Sequence, residues 1–216
     1  MRALLLDIGN TRIKWGLADG AKLQRTGTVT HEKIRDAGIA ALTTRLPRRV
    51  DRILACNVAG NSLATRISGV MHLHCDTDTH FVHPARAGFG ITNGYGRPRR
   101  LGVDRWVAMI GAYAEFSRAL CVVDAGTAVT IDALDRQGQH LGGQIIPGLR
   151  MMQDALTSET DGIEVSNKGG KSAQEGLNLF ARNTTNAVRN GTTSAICGAI
   201  ERSLRRLRAE AVSYTH

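Results

Sequence analysis

One short pattern, used twice, constrains this chain more than any other feature. Residues 4–17 read LLLDIGNTRIKWGL, and residues 121–132 read CVVDAGTAVTID. In each, three apolar residues lead into Asp, any residue, Gly and a small polar residue. Asp7 and Asp124 stand a little over half the chain apart. After each glycine the pattern alternates, through Ile13, Trp15 and Leu17 in one copy and Val129, Ile131 and Ala133 in the other. Alternation after a glycine turn predicts a β-hairpin. A third strand is expected after each, near 22–29 and 139–146. Strands at 52–56 and 72–75 would complete the first sheet, with helices at 31–45, 60–70 and 103–118. In the second half, helices are expected at 148–157 and 174–209. The expected fold class is α/β, in two related halves, 1–118 and 119–216, with one Asp-x-Gly turn on each side of a cleft.

A plain turn needs the glycine but not the polar residues around it. A phosphate chain needs backbone N–H groups at close approach, which a residue without Cβ permits. Asn10 and Thr11 add neutral donors, and Lys14 adds charge. A carboxylate repels phosphate directly but can hold a divalent cation between itself and the phosphates. The doubled set therefore suits a metal-bound nucleotide.

Between the hairpins, residues 93–106 read NGYGRPRRLGVDRW. Gly94, Gly96 and Pro98 mark a loop. A stripe of Trp106, Val107, Ile110 and Ala114 follows, so Asp104 and Arg105 fall in the first turn of a helix. An acid there complements the helix dipole and caps N–H groups. A second reading is that it accepts a proton from a substrate hydroxyl, beside an Arg105 that binds an anionic group.

Composition narrows the partners. The 216 residues carry 28 Lys and Arg against 19 Asp and Glu, a net charge of +9, which favours anionic ligands. Hydrophobic residues make up 42% and aromatics only 4%, so the expected core is aliphatic. No apolar run reaches membrane-spanning length, and no signal-peptide pattern opens the chain. Cys56 and Cys121 sit in apolar runs and read as reduced core residues, which fits a cytoplasmic location. Two other patterns carry less. Residues 165–172, VSNKGGKS, lack the first glycine of a phosphate-binding loop. His72, His74, His80 and His83 gather without regular ligand spacing, so an edge-strand cluster is expected rather than zinc.

The ordered set Asp7-x-Gly9-Asn10-Thr11-x-x-Lys14, Tyr95-x-x-Pro98-x-x-Leu101-Gly102-x-Asp104-Arg105, Asp124-x-Gly126-Thr127-Ala128-x-Thr130, Gly142-Gly143-x-Ile145-x-Pro147-Gly148 and Asn183-Thr184 resembles type III pantothenate kinase, the family that includes Bvg accessory factor proteins. The resemblance implies the acetate and sugar kinase/Hsc70/actin fold, with two ribonuclease-H-like halves. It implies ATP-dependent phosphorylation of pantothenate to 4'-phosphopantothenate, the first step of coenzyme A synthesis. It further implies magnesium, a monovalent cation (potassium or ammonium) and a homodimer.

Carried onto this chain, the resemblance makes Asp7, Ile8, Gly9, Asn10, Thr11, Arg12, Ile13 and Lys14 the ATP-phosphate hairpin, with Asp7 toward magnesium. Asp104 would be the base. Tyr95, Gly102, Val103, Asp104 and Arg105 would line the pantothenate site, joined by Thr184. Asp124 would hold the monovalent cation, Thr127 would contact ATP, and Gly142 and Gly143 would form a turn close to nucleotide. Family members continue past the basic helix at 201–208 with a further strand and helix, so the second half is expected to lack them. The competing expectations are a transcription accessory protein, supported only by the positive charge, and a catalytically impaired relative. No nucleic-acid or membrane partner is expected.

Overall fold

Residues 1–163 and 179–213 are described in this computed structural model, the side chains of 210–213 excepted. They divide into two units. The first comprises Met1–Arg86 and Tyr95–Val107, the second Ala87–Gly94 and Ala108 onward.

In the first unit, strands β1 (Arg2–Ile8), β2 (Arg12–Asp19) and β3 (Lys22–Thr30) form an antiparallel meander. Strand β4 (Arg52–Asn57) runs parallel to β1, and β5 (Thr79–Phe81) parallel to β4, giving the order β3-β2-β1-β4-β5. Alternation decides what is buried: Leu4, Leu6 and Ile8 of β1 enter the core, as do Ile13, Trp15 and Leu17 of β2. Gly27 of β3 faces Trp15 in register, and a Cβ there would lie 2.5 Å from the indole ring. Helix α1 (His31–Ala37) starts where the Thr30 hydroxyl accepts the Lys33 N–H at 3.2 Å. Gly38, at φ 72°, ends it, and a short α2 (Ala40–Thr43) follows. The single helix expected over 31–45 is thus broken by one left-handed glycine.

Helix α3 (Asn61–Cys75) buries Ala64, Ile67, Met71 and Cys75, one face at helical spacing. The strand expected at 72–75 is instead its last turn, closed by Asp76 at φ 53°. Periodicity carried through Met71 to Cys75, and the strand lies further on at Thr79–Phe81. His72 and His74 are therefore helical: His72 lies 3.0 Å from Asp78, and His74 Nε2 lies 3.3 Å from the Leu46 carbonyl. Among the described residues, no group of three or more His, Cys, Asp or Glu could hold a metal. A 3-10 turn at Pro98–Arg100 leads to α4 (Val103–Phe116). The buried face of α4 carries Val103, Trp106 and Met109, while Val107, assigned to that stripe by sequence, is exposed.

In the second unit, a hairpin of β6 (Ala87–Gly88) and β7 (Ile91–Thr92) precedes a meander of β8 (Leu120–Ala125), β9 (Ala128–Leu134) and β10 (His140–Pro147), in the order β10-β9-β8. Helices α5 (Leu149–Ser158) and α6 (Thr184–Ser213) complete it. Val129, Ile131 and Ile196 centre its core, with Cys121, Ile146 and Met152 packed around them. Asp132 and His140, both fully buried, are joined Oδ1 to Nε2 at 2.8 Å. Gly142 sits at a register shift within β10 at φ 116°, so Gly142 and Gly143 belong to a bulged strand rather than to the expected turn. The VSNKGGKS segment, and residues 174–178 of the expected last helix, lie outside the described residues. No described helix is long and apolar enough to cross a membrane.

Candidate active site

The 7–14 hairpin is built by register. Ile8 pairs with Ile13 and both side chains are buried, so the turn stands on the core. Only their backbone groups could meet a ligand. Gly9 N–H donates to the Arg12 carbonyl at 3.1 Å, and His31 N–H to the Thr11 carbonyl at 3.0 Å. Asn10, Thr11 and Arg12 are exposed at the tip.

Asp7 is the last polar side chain before that turn. Its strand has two neighbours, and each supplies a register partner: Lys14 on β2 and Cys56 on β4. Lys14 Nζ lies 3.3 Å from Asp7 Oδ2. The Cys56 thiol donates to Oδ1 at 3.5 Å. Burial, then the charge and hydrogen-bond acceptance of Asp7, then the charge of Asp104 push the Cys56 thiol from its ordinary 9.0 to about 12. Cys56 is a free thiol, as expected, but it is half-buried against the Asp7 carboxylate rather than within the apolar core. Nothing local in the sequence marks it, because its partners come from a parallel strand pairing and a distant helix.

Residues 95–105 converge at the start of α4. Gly102 precedes the helix, and its carbonyl accepts the Trp106 N–H at 3.0 Å. Asp104 follows, half-buried, with Oδ1 accepting the Arg105 backbone N–H at 2.8 Å. Val103 is buried. The Arg105 side chain is 5% exposed and donates to the Tyr95 hydroxyl at 2.9 Å. The first unit thus brings together Asp7, Lys14, Cys56 and the charge of Asp104, and separately locks Arg105 onto Tyr95.

In the second unit, Asp124 is exposed near the end of β8, opposite Thr130. The Gly126–Thr127 turn that follows is closed by Gly126 N–H donating to the Ala128 carbonyl at 2.9 Å. Gly148 N–H donates to the Thr127 carbonyl at 2.9 Å, and any Cβ at 148 would strike the backbone of Gly126 and Thr127. Thr184 opens α6, behind Asn183, which caps the helix by accepting the Asn186 N–H at 2.8 Å. Thr184 lines a groove of about 960 Å³ between α5 and α6, with Arg182, Asn183 and Thr192 as further polar lining beside Met151, Met152 and Leu156.

A sequence model of type III pantothenate kinase matches residues 3–206. The chain belongs to the type III pantothenate kinase family. A type III pantothenate kinase of Acidovorax ebreus is 40% identical over 221 residues, covering 96% of this chain and 80% of the relative. One from Methylibium petroleiphilum is 41% identical over 216 residues, covering 96% and 82%. Among solved structures, a Baf family protein from Campylobacter jejuni, described as a transcriptional activator, superposes with a TM-score of 0.56 at 21% identity, covering 92% of this chain and 78% of that one. A 2-dehydro-3-deoxygalactonokinase-type protein from Sinorhizobium meliloti gives 0.51 at 13% identity, covering 92% and 82%. At these identities the likeness is one of fold, a mixed α/β architecture.

Proposed function

We propose that this protein transfers the γ-phosphoryl group of ATP to the terminal hydroxyl of pantothenate, giving 4'-phosphopantothenate for coenzyme A synthesis. Membership of the type III pantothenate kinase family over residues 3–206 carries the reading. Asp104 is the base: its carboxylate sits half-buried at the start of α4, held by one backbone N–H, and accepts the hydroxyl proton as the bond to phosphorus forms. Arg105, fixed against Tyr95, binds the carboxylate of pantothenate, and Gly102 and Val103 give that site its wall. Thr184 contributes to the same substrate. Residues 7–14 and Thr127 hold ATP, with backbone N–H groups and the Lys14 charge toward its phosphates.

The donor set at Asp7 fits magnesium, which takes one or two carboxylates and completes its shell with water and phosphate oxygens. Asp7 is half-exposed, and no third acidic or imidazole ligand stands in a cluster with it among the described residues. Bound there, magnesium offsets phosphate charge. Asp124, an exposed hard oxygen donor, is the proposed ligand for potassium or ammonium. The halves 1–118 and 119–216 are each read as ribonuclease-H-like, a reading supported by the three-strand meander common to both sheets. A homodimer acting in the cytoplasm completes the proposal.

The test is phosphopantothenate formation from pantothenate and millimolar-scale ATP with magnesium, comparing potassium with sodium. Potassium-stimulated product is expected, and Asp104→Asn should abolish it while leaving both substrates bound. Folded protein that forms no product would overturn the reading. Asp124→Ala should flatten the potassium titration, and an unchanged titration would remove Asp124 from that role.

A further inference from the structure

We propose that Cys56 is a positioning residue for this reaction, its thiol holding Oδ1 of Asp7 so that the carboxylate meets the magnesium–nucleotide in one orientation. The proposal rests on the role given to Asp7 above. Its basis is the pairing of β1. Asp7 is flanked in register by Lys14 on one side and Cys56 on the other, and each partner takes a different oxygen: Lys14 Nζ on Oδ2 at 3.3 Å, Cys56 Sγ on Oδ1 at 3.5 Å. The thiol has one proton to give. The Leu6 carbonyl lies farther off, at 3.7 Å, and is neutral, so the carboxylate is the better acceptor.

The two partners differ in what happens when a cation arrives. Lys14 is charged, long and 58% exposed. A divalent cation on Asp7 repels its ammonium group, and nearby phosphates attract it, so it can swing away at little cost. Cys56 is neutral, short and half-buried in β4. It does not compete electrostatically with the cation, and its other acceptor, the Leu6 carbonyl, is neutral and farther off. One oxygen therefore stays fixed by a neutral donor while the other is released to the metal. Such outer partners of a metal ligand tune affinity through orientation.

The experiment uses the full chain as Cys56→Ser, Cys56→Ala, Cys56→Val and Asp7→Asn. Calorimetric ATP binding is measured with and without magnesium, alongside steady-state kinetics and thermal melts. Serine keeps a donor at the same place, alanine removes it, and valine removes it while filling the space. Alanine and valine should each raise the magnesium concentration for half-maximal ATP binding by roughly tenfold. Magnesium-free ATP binding and the KM for pantothenate should not move, and serine should match the parent protein. If alanine and valine match the parent while Asp7→Asn loses the magnesium response, the Cys56 role is wrong. If serine falls with alanine and valine, the donor is not what matters and the proposal fails. If Asp7→Asn leaves the magnesium response intact, the reading of Asp7 fails and takes this one with it.

Discussion

At Gly102 a hydrogen atom does what no larger group could. An added Cβ would stand 2.5 Å from Asp104 Oδ1, the oxygen that accepts the Arg105 N–H. The backbone itself would accept alanine, so the methyl acts on the carboxylate. We expect Gly102→Ala to fold with a near-normal melting temperature but lose about a hundredfold in kcat, the scale on which a displacement near 1 Å is felt. Saturating-substrate kinetics beside a thermal melt would check it, and unchanged kcat would mean Asp104 is not held as described. Asp104 and Arg105 were legible in the sequence because a local signal, loop residues running into a helical stripe, placed them in a first helical turn. Cys56 was not. Its meaning comes from the parallel register of β1 with β4, and no residue near Cys56 in the chain announces that register.

At the scale of elements, the hairpins were the easiest part to read and the ends of helices the hardest. Alternation over Ile13 to Leu17 and Val129 to Ile131 survives any tertiary setting, because a one-residue slip would turn the core side outward. Helix ends are decided more locally. Gly38 split one helix, and the Met71 to Cys75 spacing kept another going through residues that also read as a strand. The bulge at Gly142 was invisible, since a Gly-Gly pair signals a turn as readily as an irregular strand. Gly27 leaves room for the buried Trp15 ring, so Gly27→Ala forces overpacking in a tight core. A loss of about 2 kcal/mol in denaturant unfolding is expected. A variant as stable as the parent would show that the indole has room to move.

Across the whole molecule, ionisable thiols give stability a slope at high pH. Burial raises Cys75, burial and then the charge of Asp132 raise Cys121, and Cys56 reaches about 12, against an ordinary 9.0. Below pH 9 these thiols are protonated in both folded and unfolded chains and do not distinguish them. Above it the unfolded chain releases protons that the folded one keeps, so stability is lost as pH rises toward the folded values. Urea midpoints should fall between pH 8 and pH 10, and by less in Cys56→Ser. Equal slopes in the two proteins would show that Cys56 ionises in the folded state as it does in the unfolded one. One contact in the second unit has a mechanical reading. Gly148 fits against Gly126 and Thr127 with no clearance for a methyl, and its N–H is tied to the Thr127 carbonyl. The turn is therefore held directly against Gly148, the residue that caps the start of α5. A shift of Thr127 is therefore expected to reach Met151 and Met152 in the first turn of α5, where their methyl resonances would serve as a built-in gauge of whether that turn is loaded.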